Sequence, residues 1–230
     1  MKIVKLEPSQ HRQGRWLVWL EDGCLVRLGE GDVVCLGLYA GKELSEEEGE
    51  ALAAAARQGR TNQRAVELLS RRPMSRKELV DKLAAPARRG KRPGAGREEI
   101  APDPERLERE REELARLAAR AADRMEELGL LSDEQYAGAV VRHYAAKGYG
   151  PRKLRDELCR RGVPRQFWQE ALEQCPPQTD QLAQLVARRM RGLEPSRENL
   201  KKTSDYLARR GFSWEEIAGA LERYQRETEE

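Results

Sequence analysis

The chain has 230 residues, 36% of them charged and only 5% aromatic, and its 43 Lys and Arg nearly balance 40 Asp and Glu for a net charge of +3. One or two domains fit that length, but so charged a chain is expected to build several small helical cores rather than one large globule. No stretch approaches the roughly 18 apolar residues of a membrane span, MKIVKLEPSQ is broken by charge and proline before a signal peptide develops, and the four cysteines form no Cys-x-x-Cys pair, so the expectation is a cytosolic protein without membrane contact, metal or cofactor, taken to be a monomer.

Residues 1–44 differ from everything after them. Ile3-Val4-Lys5-Leu6 is a short extended stretch. Arg15–Leu20 and Cys24–Leu28 flank Glu21-Asp22-Gly23, and Asp-Gly between apolar runs is a strong hairpin signal. Gly29–Asp32 reads as a second turn and Val33–Tyr39 as a further strand, giving a small antiparallel β meander. Its apolar faces, Trp16 and Trp19 among them, need a cover, because so few strands are marginal alone.

Ser45 before Glu46, Glu47 and Glu48 opens a helix that Gln58-Gly59 is expected to close, and Asn62 a second one that Arg71-Arg72-Pro73 breaks. Ser75 caps a third, with Leu79, Val80 and Leu83 inward. Ala85–Asp103 holds many prolines, glycines and arginines and reads as a mobile basic loop. Glu105–Leu128 is a long charged helix whose Leu107, Leu114, Ala121 and Leu128 recur every seven residues, suited to packing along one edge or to a coiled-coil arm.

Ser132 caps the next helix, with Tyr136, Ala139, Val140 and Tyr144 on one face. Gly148-Tyr149-Gly150-Pro151 turns the chain into a helix carrying Leu154 and Leu158, and Gly162 stops that one. Arg165–Gln174 follows with Phe167, Trp168, Ala171 and Leu172 inward, then a Cys175-Pro176-Pro177 linker. The last block places Leu182, Leu185, Val186 and Met190, then Leu200, Thr203 and Leu207, then Trp214, Ile217, Ala218 and Leu221 toward a core. Three of the four cysteines sit in apolar runs or at helix ends, where small buried thiols are expected.

These pieces repeat. Gly150-Pro151-Arg152-Lys153-Leu154 answers Glu194–Leu200 and Met74–Leu79, and Arg160-Arg161-Gly162 answers Arg209-Arg210-Gly211. Leu154 to Leu200 is 46 residues and Gly162 to Gly211 is 49, whereas Leu79 to Leu154 is 75. The excess, at about 86–113, reads as an insertion. The expected organisation is therefore a meander (1–44) and three three-helix repeats (45–128 with the insertion, 129–175 and 176–230), a mainly α fold forming an elongated curved array.

Charge is uneven along it. Val140–Gln166 carries eight cations, Arg142, Lys147, Arg152, Lys153, Arg155, Arg160, Arg161 and Arg165, against Asp156 and Glu157. Such an imbalance suits an anionic partner, with a solvated basic face as the plainer reading. Tyr144 and Tyr149 either stack on that partner or pack inside, and Arg188, Arg189, Arg191, Lys201 and Lys202 extend the basic character. No phosphate-binding loop, dinucleotide fingerprint or nucleophile elbow occurs, and His143 has no carboxylate or second histidine three or four residues away, so no catalytic role is expected.

Leu128–Ala137 (LGLLSDEQYA), Lys147–Leu158 (KGYGPRKLRDEL) and Arg161-Gly162-Val163 resemble the bacterial RecX family, most strongly over 128–172, with support from 75–83 and the third block. The N-terminal meander resembles an extension that some members carry, and the insertion departs from the usual pattern. The resemblance implies a non-catalytic regulator of the RecA recombinase that binds its filaments on single-stranded DNA and reduces ATP hydrolysis and strand exchange. In that picture the basic residues and Tyr149 contact the filament or its DNA. A stand-alone helical DNA- or RNA-binding module is the alternative.

Overall fold

The computed structural model describes residues 1–85, 103–174 and 179–229. The expected basic loop, apart from its ends at Ala85 and Asp103, and the Cys175-Pro176-Pro177 linker lie outside the described residues. The protein is mainly helical with a small antiparallel sheet, and it divides into two compact units: residues 1–72 with 79–131, and residues 73–78 with 132–230.

In the first unit β1 (Ile3–Pro8), β2 (Arg15–Leu20) and β3 (Leu25–Gly29) form a sheet of order β1-β2-β3. Trp16 pairs with Leu28 and Val18 with Val26, and a bulge between Ile3 and Lys5 shifts the outer strand. Gly23 takes φ +80° in the hairpin, a conformation nearly free for glycine alone. Ile3, Val18, Leu20 and Leu28 turn to one face and meet Val33, Leu38, Leu44, Leu52 and Ala56, which supplies the cover the meander requires.

The strand expected at Val33–Tyr39 is not one. Glu30–Cys35 is a short helix, α1, whose start is tied by the Asp32 carboxylate accepting from Gly29 N at 3.1 Å. This turn lets Val33 and Leu38 both enter the core while Val34 stays 74% exposed, so burial overrides the β propensity of the valines. The break expected at Gln58-Gly59 is also absent: α2 runs unbroken from Glu46 to Arg71, opened by Ser45 and Glu48 in a capping box. One glycine costs a helix only about 1 kcal/mol. Tertiary contacts offset it, since Gln58 Nε2 reaches both Asn62 Oδ1 (2.9 Å) and Leu117 O (3.2 Å), and Arg57 pairs with Glu113 at 2.9 Å.

Helix α3 (Arg76–Ala84) buries Leu79 and Leu83, and α4 (Pro104–Glu127) begins at Asp103, whose carboxylate accepts from Glu105 N. α4 packs on α2, burying Met125 and three alanines, Ala118, Ala121 and Ala122, whose small side chains let two helices approach closely. The seven-residue stripe drifts off the seam as a straight helix requires: Leu107 and Leu114 are only half-buried, and Leu128, past the helix end, is 50% exposed.

The second unit holds α5 (Asp133–Ala146), α6 (Pro151–Arg160), a 3-10 turn (Arg165–Phe167) leading into α7 (Trp168–Glu173), α8 (Thr179–Met190), α9 (Arg197–Arg209) and α10 (Trp214–Glu229). Each helix triplet encloses its own core, one around Val140, Val141, Leu154 and Leu158, the next around Val186, Met190, Leu207 and Phe212. Trp214, expected inward, is 73% exposed, because Phe212 just before α10 fills the core in its place. α9 is three residues longer than α6, which turns the 46-residue spacing of their starts into 49 at the following glycines. Cys24, Cys35 and Cys159 are exposed rather than buried, on the hairpin turn, the end of α1 and the outer face of α6.

Candidate partner-binding surface

Two turns with the same sequence shape this surface. Arg161-Gly162 follows α6 and Arg210-Gly211 follows α9, and both glycines have positive φ, +68° and +90°. Each turn receives the start of an earlier repeat's middle helix. The Ser75 hydroxyl donates to Arg161 O, and Lys77 lies across Gly162. In the same way Gly150 N donates to Arg210 O (2.9 Å), Arg152 N donates to Gly211 O (3.0 Å), and Lys153 lies across Gly211. Only glycine, lacking Cβ, admits such an approach.

The two arginines of these turns face aromatic rings. Arg161 donates to the Tyr136 hydroxyl at 2.7 Å and the Tyr144 hydroxyl at 3.2 Å, and its guanidinium lies 5.6 Å from the Tyr144 ring centre. Arg210 lies 5.2 Å from the ring of Tyr149 and 5.0 Å from that of Tyr206, and donates to Lys147 O (2.7 Å) and Gly148 O (3.0 Å). Gln181 Nε2 adds a bond to Ala145 O at 2.8 Å. The carbonyls left open at the end of α5, the negative pole of its dipole, are thus capped by the following repeat.

Tyr144 and Tyr149 stand 5.8 Å apart, Lys147 Nζ lies 5.4 Å from the Tyr144 ring, and Arg189 lies 5.5 Å from that of Tyr206. Arg161, Tyr144, Lys147, Tyr149, Arg210, Tyr206 and Arg189 therefore form one continuous ladder of cations and aromatic rings across two repeats. Each such contact contributes about 0.5–1 kcal/mol when exposed, so the ladder adds rigidity while it holds several charges in fixed places.

The residues singled out by sequence separate into three groups. Lys147, Tyr149, Arg161 and Arg189 belong to the ladder. Arg142, Arg152, Arg155, Arg188, Arg191 and Lys201 are exposed and make no ion pair among the described residues, as does Arg165, which sits over Trp168 at 5.7 Å. The rest are engaged within the fold. Lys153 is half-buried against Gly211, and Lys202 pairs with Glu198 at 2.7 Å. Arg160 bonds Glu157 at 2.6 Å but keeps 65% of its side chain exposed, whereas Arg161, expected to reach a partner, turns inward with 26% exposed. Burial pushes the Glu157 carboxyl up, but hydrogen bonds from Arg160 and Tyr144 and the two arginine charges outweigh it and hold the carboxyl below its ordinary value. Tyr206 and Arg210 were not singled out by sequence. Arg210 was within reach of the repeat alignment, which sets it opposite Arg161.

Among the described residues no group of His, Cys, Asp and Glu could hold a metal ion, and no helix is long and apolar enough to cross a membrane.

Residues 132–172 match the family described as "RecX, second three-helix domain" and residues 177–221 "RecX, third three-helix domain". Proteins named "Regulatory protein RecX" are similar over 160 residues: that of Pseudomonas putida is 31% identical, covering 68% of this chain and 86% of the relative, and that of Chromohalobacter salexigens is 35% identical, covering 68% and 88%. In fold the chain is similar to a crystal structure of regulatory protein RecX, with TM-score 0.69 and 23% identity over 94% of this chain and 97% of the other. A crystal structure of RecX from Lactobacillus salivarius gives TM-score 0.55 and 19% identity over 74% and 97%. With two family matches falling on the repeats that carry the ladder, and relatives above 30% identity aligned over most of their length, the chain belongs to the RecX family.

Proposed function

We propose that this chain is a non-catalytic regulator that binds RecA filaments on single-stranded DNA and lowers recombinase ATP hydrolysis and strand exchange. The observation that carries the reading is the ladder from Arg161 to Arg189, flanked by exposed arginines without ion pairs among the described residues. The exposed Lys147 and Arg189 of the ladder and the arginines beside them suit carboxylate and phosphate, and the half-exposed Tyr149 suits flat apolar groups, so the surface matches an assembly of acidic protein and nucleic acid. Family membership, among relatives named regulatory proteins, supports the same reading. Under it Arg142, Lys147, Tyr149, Arg152, Arg155, Arg165, Arg188, Arg189 and Lys201 touch the partner, and Arg161 and Arg210 position the surface. The acting species is a monomer.

The test is recombinase ATPase on single-stranded DNA with substoichiometric amounts of this protein. Inhibition is expected; no effect, or stimulation, would overturn the reading. A stand-alone DNA- or RNA-binding module would instead bind naked strands as tightly as recombinase-coated ones, with a steep loss on added salt.

A further inference from the structure

The first unit carries a basic groove that the ladder does not involve. It has a volume of about 930 Å³ and lies among β2, β3, α2 and α4. Five arginines line it, Arg12, Arg15, Arg27, Arg60 and Arg124, against a single acidic lining residue, Asp32, whose carboxylate is already engaged with Gly29 N at 3.1 Å. Arg124 pairs with Glu127 at 2.7 Å, and Arg15 is held by the neutral Gln63 amide at 2.9 Å, which fixes its position and leaves its charge uncompensated. Arg12, Arg27 and Arg60 are exposed and make no ion pair among the described residues. Apolar surface borders the same groove: Val66 is 39% exposed and Leu128 50%. Gly14 and Gly59 add stretches of wall without side chains, so a polymer backbone can approach closely.

We propose that this arginine-lined groove is a binding site for single-stranded nucleic acid, separate from the ladder. Guanidinium forks fit phosphate oxygens two at a time, and the absence of lysine from the lining favours that geometry over diffuse attraction. A single strand presents phosphate on one side and unpaired base faces on the other, matching arginines beside Val66 and Leu128. A duplex offers only its phosphates to so small a cleft and would leave the apolar border unused.

The site is independent of recombinase regulation, so its test uses the full chain and bare oligonucleotide with recombinase absent. Fluorescence anisotropy of a labelled oligo-dT is measured over a salt series for the wild type, for Arg27→Glu/Arg60→Glu, and for Arg64→Glu/Arg71→Glu, which makes the same charge change on exposed α2 residues outside the groove. The groove variant is expected to bind at least tenfold more weakly, with a salt slope lower by about one for each phosphate it no longer neutralises, and the control to stay within about threefold of wild type. Equal losses in both variants, or none in the groove variant, would overturn the proposal. If the groove variant melts below wild type, Arg12→Gln/Arg27→Gln replaces it under the same criterion. Displacement of the oligonucleotide by polyphosphate or polyglutamate at equal charge concentration would overturn the assignment to nucleic acid, and failure of both to displace it supports the role of the bases.

Discussion

Gly211 and Lys153 meet so closely that a Cβ on Gly211 would stand 2.4 Å from the Lys153 nitrogen and 2.7 Å from its Cβ. Gly162 stands to Lys77 in the same relation, its Cβ 2.5 to 3.0 Å from the lysine side chain. At Gly211 the approaching atoms are the backbone and Cβ of Lys153, at Gly162 they are the Lys77 side chain, and at both the approach depends on a missing Cβ. Gly211→Ala must strain a φ of +90° and also push Lys153 away, whereas Gly192→Ala, at φ +74° with nothing within 4 Å, meets the backbone strain alone. We expect urea unfolding to show a loss of about 1 kcal/mol for Gly192→Ala and about 3 kcal/mol or more for Gly211→Ala. Equal losses would mean that the close approach carries no energy.

Gly59 poses the opposite case. It lies inside the unbroken α2, and a Cβ there would meet nothing within 4 Å. Gly59→Ala should raise stability by about 0.5–1 kcal/mol through helix propensity and reduced unfolded-state entropy. A melting temperature below wild type would show that the glycine is retained for something other than the helix.

What sequence revealed and what it hid follow from how local each signal is. Asp22-Gly23 placed the hairpin and the Arg-Arg-Gly turns placed the repeat, because each depends on backbone preferences a few residues long. α1 and the continuity of α2 were hidden because burial of Val33 and Leu38, and the reach of Gln58 to Leu117, outweigh local propensity. Arg160 and Arg161 are neighbours that composition cannot tell apart, yet one step around the helix leaves the first largely in solvent and carries the second to Tyr136 and Tyr144. The groove in the first unit was equally hidden, since Arg12, Arg27, Arg60 and Arg124 come from four separate parts of the chain.

Arg152 and Arg155 lie one turn apart on α6, exposed and without an ion pair among the described residues, while Lys153 between them packs on Gly211. Reversing only the two arginines tests the surface without disturbing the junction. Arg152→Glu/Arg155→Glu should weaken recombinase inhibition at least tenfold and leave the circular-dichroism melt within a few degrees of wild type. Undiminished potency would remove these residues from the partner surface.

Acid should reveal two carboxylates with opposite signs. Glu157, held below its ordinary value, stabilises the fold above the unfolded carboxylate range near pH 4.3, and that stabilisation is lost as pH falls through its depressed native value. The gap between wild type and Glu157→Gln should therefore be widest near pH 6 and close toward pH 3. Asp133 is buried, and burial pushes its carboxyl up despite the hydrogen bond from Arg76 N at 2.8 Å and the Arg76 charge. Its ionised form is disfavoured by folding, a cost absent below about pH 3.9 and complete above its raised native value. Asp133→Asn keeps an oxygen to accept from Arg76 N while removing the charge, so it should be more stable than wild type at neutral pH and equal to it in acid. Urea midpoints for both variants across pH 3–7 check the signs; a Glu157→Gln gap that widens on acidification, or an Asp133→Asn advantage that grows there, would contradict the roles given to these carboxylates.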